Sequence, residues 1–353
     1  MPDVAIIPFN ALPQLGNLFA KPPSAEGGLA WFHTIAETAM EPGEQAVLAV
    51  ARDDCGVIRA ALPLVRAADE SLRALAAPYT TLFAPAMPDP SWARLLGARA
   101  RQFVIRSLRL EALDLENPGT RAFVEGLGQS GLIHARYLHF LNRFEPVSSF
   151  EAYWRARPTR LRSTVRRRLA QSGGKAQFEM ARQGTALDAA LAVYEEVYRK
   201  SWKKPEPHPH FMPNMVRALS REHSVCLGWL AFGDTPAAAQ IWLLHDRKAT
   251  IFKLAHSQES AAHSPGSVLT HWMAASLCGQ GMIDEIDFGR GDAPYKRDWL
   301  SRARPRYGII VGNPASRGGL RTIASEVWPT RISSLIKGAL AVRGPGATPA
   351  ETR

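Results

Sequence analysis

The stretch from Val225 to Trp299 constrains this chain more than any other, because strand, turn and helix signals follow one another in it almost without a gap. Three strand-like runs, Val225 to Phe232, Ala237 to His245 and Ala249 to His256, are separated by the turn signals Gly233-Asp234-Thr235-Pro236 and Asp246-Arg247-Lys248. That order predicts an antiparallel meander. Ser264 then stands where an N-cap belongs, Pro265 suits a first helical position, and Gly266 leaves the backbone bare where first-turn N–H groups point outward. Val268, Leu269, Trp272 and Met273 recur at helical spacing until Gly279 and Gly281 end the run. Ile283 to Phe288 reads as a half-buried strand, with Ile286 and Phe288 on one face and Glu285 and Asp287 on the other, broken by Gly289, Arg290 and Gly291. A meander, a crossover helix with a positive N-terminus and one further strand predict an anion site at the helix start and a gap between strands beside it.

At 353 residues the chain has room for two domains with a substantial core. No apolar stretch approaches the roughly 20 residues that cross a bilayer, and the start, MPDVAIIPFNALPQLG, lacks a basic n-region and a long h-region, so a cytoplasmic protein is expected. Cys55, Cys226 and Cys278 are scattered among apolar neighbours without metal spacing and read as buried free thiols. His208-Pro209-His210 has no third ligand nearby in sequence, so no metal is expected. The net charge of +11 implies attraction to something anionic: nucleic acid, a phospholipid surface, or a phosphorylated cofactor and substrate.

Residues 1–145 read as a first mixed half. A helix is expected over Trp31 to Met40, strands over Ala46 to Ala51 and Val57 to Leu64, and a helix over Ser91 to Arg99. A strand over Gln102 to Leu108, a helix over Pro118 to Gly128 and a strand over Arg136 to Asn142 complete it. Between the halves, Phe150 to Gly173 carries Arg155, Arg157, Arg160, Arg162, Arg166, Arg167 and Arg168 around Leu161, Val165 and Leu169. This predicts one amphipathic basic helix: either a solvated face or, since Arg162 and Arg166 lie one turn apart, a pair converging on one anion. Leu187 to Trp202 reads as a helix, Pro205 to Pro213 as a loop rimming a cleft, and Arg306 to Gly312 as a final strand. From residue 316 a basic tail follows, with an apolar stripe of Ile332, Leu335, Ile336 and Leu340 and then a Pro- and Gly-rich end expected to be disordered. The stripe suits a docked helix or an interfacial helix resting on anionic lipid.

Ser264-Pro265-Gly266, Asp287-Phe288-Gly289-Arg290-Gly291 and Tyr295-Lys296 with Trp299 together resemble the acetyltransferase-like domain of the CelD/BcsL family, a branch of the GNAT acyltransferase superfamily related to the Fem peptidyltransferases. Ala61-Leu62-Pro63-Leu64 is similar to a strand of the family's first half. The resemblance implies an α/β (α+β) fold of two GNAT-like lobes in tandem, mixed sheets flanked by helices, the first lobe (1–145) degenerate and the second (146–315) catalytic. It implies an N-acyltransferase with acyl-CoA as donor and no metal, acting on an amine of an envelope-related sugar or lipid precursor. His263, Ser264, Gly266, Ser267 and Val268 would hold the donor, and Arg162, Arg166, Trp202, His256, Arg290 and Trp299 the acceptor. Tyr295 would protonate the leaving thiolate, as a tyrosine after this strand often does in GNAT enzymes. Lys296, like the lysine of the Fem Phe-Lys-x-x-Phe motif, would steady developing negative charge, and Asp287 would position the amine or accept its proton.

Where acetyl-CoA enzymes commonly carry Arg/Gln-x-x-Gly-x-Gly/Ala, Ser260 to Gly266 offers one glycine and no arginine, which keeps acyl carrier protein and aminoacyl-tRNA open as donors. Fem-like aminoacyl transfer from tRNA is therefore a second reading. A non-catalytic protein binding polyanions, or lying peripherally on an anionic membrane, is a third. A kinase is excluded, because Asp287-Phe288-Gly289 is accompanied by neither a Gly-rich loop nor a His-Arg-Asp loop in the right order.

Overall fold

The computed structural model describes residues 2–333. Twelve strands among them form one mixed sheet: β1 (Asp3–Pro8), β2 (Gln45–Arg52), β3 (Ile58–Arg66), β4 (Leu72–Ala74), β5 (Ser107–Leu113), β6 (Ile133–Pro146), β7 (Ala176–Ala181), β8 (Val225–Phe232), β9 (Thr235–His245), β10 (Lys248–His256), β11 (Glu285–Asp287) and β12 (Arg302–Gly312). Their spatial order is β1-β2-β3-β4-β5-β12-β6-β11-β10-β9-β8-β7. The helices are α1 (Leu29–Thr38), α2 (Pro90–Ala98), α3 (Pro118–Leu127), α4 (Phe150–Arg155), α5 (Thr159–Gln171), α6 (Gly184–Arg199), α7 (Phe211–Arg221), α8 (Pro265–Gly279), α9 (Pro294–Trp299) and α10 (Arg317–Thr322). The α/β architecture with a helix-flanked mixed sheet is the one the sequence predicts. None of these helices is long and apolar enough to cross a membrane.

The meander β8-β9-β10 is antiparallel throughout, as its turns require. Alternation along β9 sends Ala239, Ile241 and Leu243 to one core and Ala238, Trp242 and Leu244 to the other. On the first face lie α6, α7 and α1, where Trp31 meets Phe211 edge-on at 5.5 Å and Phe252 at 5.6 Å. That core runs on without a break beneath β2, β3 and β5. On the second face α4, α5 and α8 cover the sheet through Tyr153, Leu161, Val165, Leu269, Met273 and Leu277. β12 leaves the second half of the chain and pairs antiparallel with both β5 and β6, so the two halves share strands as well as a core.

Several local expectations are corrected. The strand expected over Gln102 to Leu108 begins only at Ser107, because Ala100–Gln102 is a 3-10 turn that buries Phe103 and Val104 through packing rather than pairing. The single basic helix is two, divided before Thr159 by Pro158, which is extended and ends α4's run. Arg157, in that break, is buried rather than solvated: its guanidinium lies 4.8 Å over the Tyr153 ring and donates to the Trp299 carbonyl. The expected loop 205–213 runs into α7, whose Phe211, Met212, Met215, Val216 and Leu219 form an apolar stripe at helical spacing, and β7 is an edge strand beyond the predicted set. Cys55 is exposed, while Cys226 is buried. Beyond residue 316, Ile323 and Val327 dock against Ala135 and Ile310, whereas Ile332 is exposed. Leu335, Ile336, Leu340 and the expected disordered end lie outside the described residues.

Candidate active site

β10 and β11 are parallel neighbours, but they pair only from Lys248 opposite Glu285 to Thr250 opposite Asp287. Beyond that point β10 continues to His256 while the segment after β11 turns away at Phe288, whose N–H goes to the Arg143 carbonyl on β6. A register shift between Ile251 and Lys253 leaves Phe252 without a counterpart on β9. The strands therefore splay, and the gap opens into a cleft of about 660 Å³. Ser264, Gly266 and Ser267 line it at the start of α8; Phe288, Arg290, Tyr295, Lys296 and Trp299 line the opposite wall. Pro78, Tyr79 and Thr81 of the first half also line it, as do Trp202 and Lys203.

The start of α8 is pinned from beneath. Gln240, fully buried on β9, donates to the Gly266 carbonyl at 3.0 Å and to Thr270 Oγ1 at 2.8 Å while accepting from Trp242 Nε1 at 2.7 Å. Ser264 makes no side-chain cap; it takes a left-handed turn (φ 50°), and its carbonyl receives the N–H groups of Ser267 and Val268. Pro265 has no N–H, so of the first-turn amides that of Gly266 is left without an intrahelical partner, and residues 265–268 carry no acid, so this end is electropositive. A Cβ at Gly266 would stand 3.5 Å from Leu254 and 3.8 Å from His256, ordinary contact, so the position tolerates a side chain that enters the cleft.

The opposite wall is fixed by two clamps. Asp287 Oδ1 accepts from Asn142 Nδ2 at 2.7 Å and from Gly289 N at 2.6 Å, and Oδ2 accepts from Arg304. Arg304 also binds Glu285 at 2.8 Å, tying the ends of β6, β11 and β12 together. Lys296 Nζ donates to the carbonyls of Phe288 and Arg290, each at 2.6 Å, and burial pushes its pKa down to about 8 although Asp287 and Asp292 pull the other way. Gly289, with φ at 59°, passes so close to Thr81 that a Cβ would meet the threonine methyl at 3.1 Å.

Residues 159–297, which contain α5 through most of α9, match the family model described as "Acetyltransferase (GNAT) domain". The chain carries a GNAT acetyltransferase domain. It is an acyl-transferring enzyme, and the splayed strands beside an electropositive helix end form that domain's cleft. Its fold resembles the crystal structure of FemX (TM-score 0.56, 11% identity, covering 87% of this chain and 96% of that one). It also resembles the C-terminal domain of an Agrobacterium fabrum protein described as a lysylphosphatidylglycerol synthetase (TM-score 0.55, 13% identity, 89% and 94%). A Bacteroides thetaiotaomicron conserved protein of unknown function is similar to the same degree (TM-score 0.56, 8% identity, 89% and 100%). Among curated proteins none matches the sequence.

The structure brings together Ser264, Gly266, Ser267, Trp202, His256, Arg290, Tyr295, Lys296 and Trp299 along one cleft. Trp202 and His256 pack with their ring centres 4.3 Å apart and their planes tilted by 40°. Tyr295 is exposed on the cleft wall, and partial desolvation of its hydroxyl there holds its pKa above the ordinary phenol value. Four expected residues stand elsewhere. His263 packs on Phe232 outside the cleft lining and Val268 is in the core. Arg162 turns back to donate to the Arg157 carbonyl at 3.1 Å, and Arg166 does not line the cleft. Asp287 is also corrected: both of its oxygens are consumed by the clamp and it lines no part of the cleft, so it is a support of the loop rather than a group facing an amine.

Sequence reasoning missed three groups. Lys203 lines the cleft with a pKa pushed down to about 8, first by burial and then by Lys253. Lys253 binds Glu206 at 2.8 Å and lies 4.1 Å from the centre of the Tyr79 ring. Thr81, on the cleft, donates its hydroxyl and its N–H to the buried carboxylate of Glu26. The alternation of β10 could have flagged Lys253 as a charge among apolar neighbours; nothing in the sequence connects residues 26 and 81.

Proposed function

We propose that this cleft moves an acyl group from acyl-CoA to the amine of an envelope-related sugar or lipid precursor, as in the CelD/BcsL type that the motifs resemble. The observation that carries the proposal is that an electropositive helix end, a strand splay and the Tyr295–Lys296 wall open on one cleft. The pyrophosphate fits the α8 end, where the Gly266 amide is open, no acid competes and Ser264, Gly266 and Ser267 border the space. The acyl chain fits the splay between Ile251 and Phe288. Tyr295 supplies the proton to the departing sulfur, and Lys296, which has spent two of its three donors on carbonyls, retains one for the oxyanion. The aromatic lining of Trp202 and Trp299 beside the Lys203 and Lys253 ammonium groups suits an acceptor with both an apolar and an anionic part. The protein works in the cytoplasm, at the inner face of an anionic membrane when the acceptor is a lipid.

Calorimetry with acetyl-CoA and longer acyl-CoAs, followed by mass spectrometry of a cell extract incubated with the preferred one, tests the reading. Saturable acyl-CoA binding and acylation of an amine in the extract are expected. Consumption of charged tRNA, with no affinity for any CoA ester, would replace it with Fem-like aminoacyl transfer.

A further inference from the structure

Resting on that acyl-transfer reading, we propose that Glu26, contributed by the first half of the chain, is the proton acceptor of the reaction and is reached from the cleft through the hydroxyl of Thr81. Glu26 sits on the 3-10 turn Ala25–Gly27 and is buried. Its Oε1 accepts from Thr81 N at 2.6 Å and its Oε2 from Thr81 Oγ1 at 2.5 Å. The segment is held in place from the other half, since His245 Nε2 on β9 meets the Pro22 carbonyl at 2.7 Å.

A carboxylate that served only to cap this turn would be expected beside a cation, because burying an unpaired charge is costly. Among the described residues Glu26 has no ion pair. Arg306, whose positive charge acts on it, is committed to Asp114 at 2.9 Å, and Asp287 on β11 adds a like charge. Burial lifts its pKa to about 7; the two Thr81 bonds and Arg306 oppose that rise and Asp287 adds to it. The group therefore exchanges a proton near neutrality, where a general base is most effective. Thr81 completes the route, because it lines the cleft, with its methyl against Gly289 where the strands part, and a hydroxyl that donates to Glu26 still has lone pairs to accept from a cleft amine.

The step balances as follows. The amine nitrogen bonds to the thioester carbonyl carbon and passes a proton to Thr81 Oγ1 as the threonine's own proton moves to Glu26 Oε2. The C–S bond breaks with its electron pair on sulfur, which takes a proton from Tyr295. Glu26 returns its proton through Thr81 to water, and Tyr295 regains one from water.

Thiol release from acetyl-CoA and longer acyl-CoAs with a panel of primary amines, followed from pH 5.5 to 9, tests the relay in Glu26→Gln, Thr81→Val and Thr81→Ser. Glu26→Gln and Thr81→Val are expected to lose about 10²-fold or more in kcat/KM with unchanged affinity for CoA. Thr81→Ser should recover most of what Thr81→Val loses. Toward acid the wild-type rate should fall with two limbs, one for the amine that begins well above neutrality and a second below about pH 7 for Glu26, and Glu26→Gln should keep only the first. If Glu26→Gln does not fold, the Val and Ser variants at position 81 decide alone. Equal activity of those two variants, or a Glu26→Gln enzyme that keeps both limbs, overturns the relay while leaving acyl transfer intact. Absence of thiol release by the wild type with every amine overturns the acyl-transfer reading and the relay with it.

Discussion

Lys296 and Asp287 are neighbours in the same wall with opposite electrostatic fates. The ammonium of Lys296 is buried against two carbonyls and titrates near 8 instead of its ordinary 10.5. Because the folded pKa is depressed, the unfolded chain binds more protons between those values, so the folded protein gains stability as pH rises from 8 to 10.5. The gain is at most on the order of 3 kcal/mol. Melting temperatures of wild type and Lys296→Met across that range should therefore shift in favour of the wild type, and a constant difference would contradict the buried charge. The same variant should lower kcat by about 10²-fold or more if the remaining N–H serves the oxyanion. Asp287→Asn removes the charge opposite Arg304 and should cost about 2–3 kcal/mol in a denaturant melt. The rate per folded molecule should change far less than in Lys296→Met, since the carboxylate does not face the cleft. A large kcat loss with an unchanged melt would return Asp287 to the chemistry.

Among the elements, α8 carries the donor reading. Gly266→Asp should fold, because the added Cβ meets only Leu254 and His256 at contact distance, yet its carboxylate would stand against a pyrophosphate at the helix end. Calorimetry should show CoA affinity reduced by about tenfold or more; undiminished affinity would move the donor away from this end. Gln240→Leu acts from below. It strands the Trp242 N–H, at about 1–3 kcal/mol, and frees the first turn of α8, so both the melting temperature and CoA affinity should fall together.

For the whole molecule, the decisive fact is that β12 lies between β5 and β6 and one hydrophobic core runs under both halves. Calorimetric unfolding should show a single transition, and a fragment of residues 1–145 should not fold, because β5 and β6 would each expose the edge that β12 covers. Two separable transitions would show instead that the halves at 1–145 and 146–315 are independent domains. The same sharing of strands brings Pro78, Tyr79 and Thr81 of the first half, with Glu26 behind Thr81, to a cleft lined mainly by residues of the GNAT domain.

What the sequence determined by itself is whatever depends on neighbours along the chain. The meander and α8 could be read because turn residues and hydrophobic period act within a few residues, and Tyr295 and Lys296, which lie on α9, through a short motif. The α7 stripe was equally local and was obscured only by the prolines and histidines that precede Phe211. The tertiary structure alone decided the rest. It buried Arg157 and turned Arg162 inward because Trp299 and the 156–158 break pack together, and it made Asp287 a clamp because Asn142 and Arg304 arrive from other strands. It also set Glu26 against Thr81, 55 positions away, and both against a cleft whose other wall lies more than 200 residues on. Partners so far apart in the chain leave no spacing to read, because only the packing of the sheet brings them within hydrogen-bond distance.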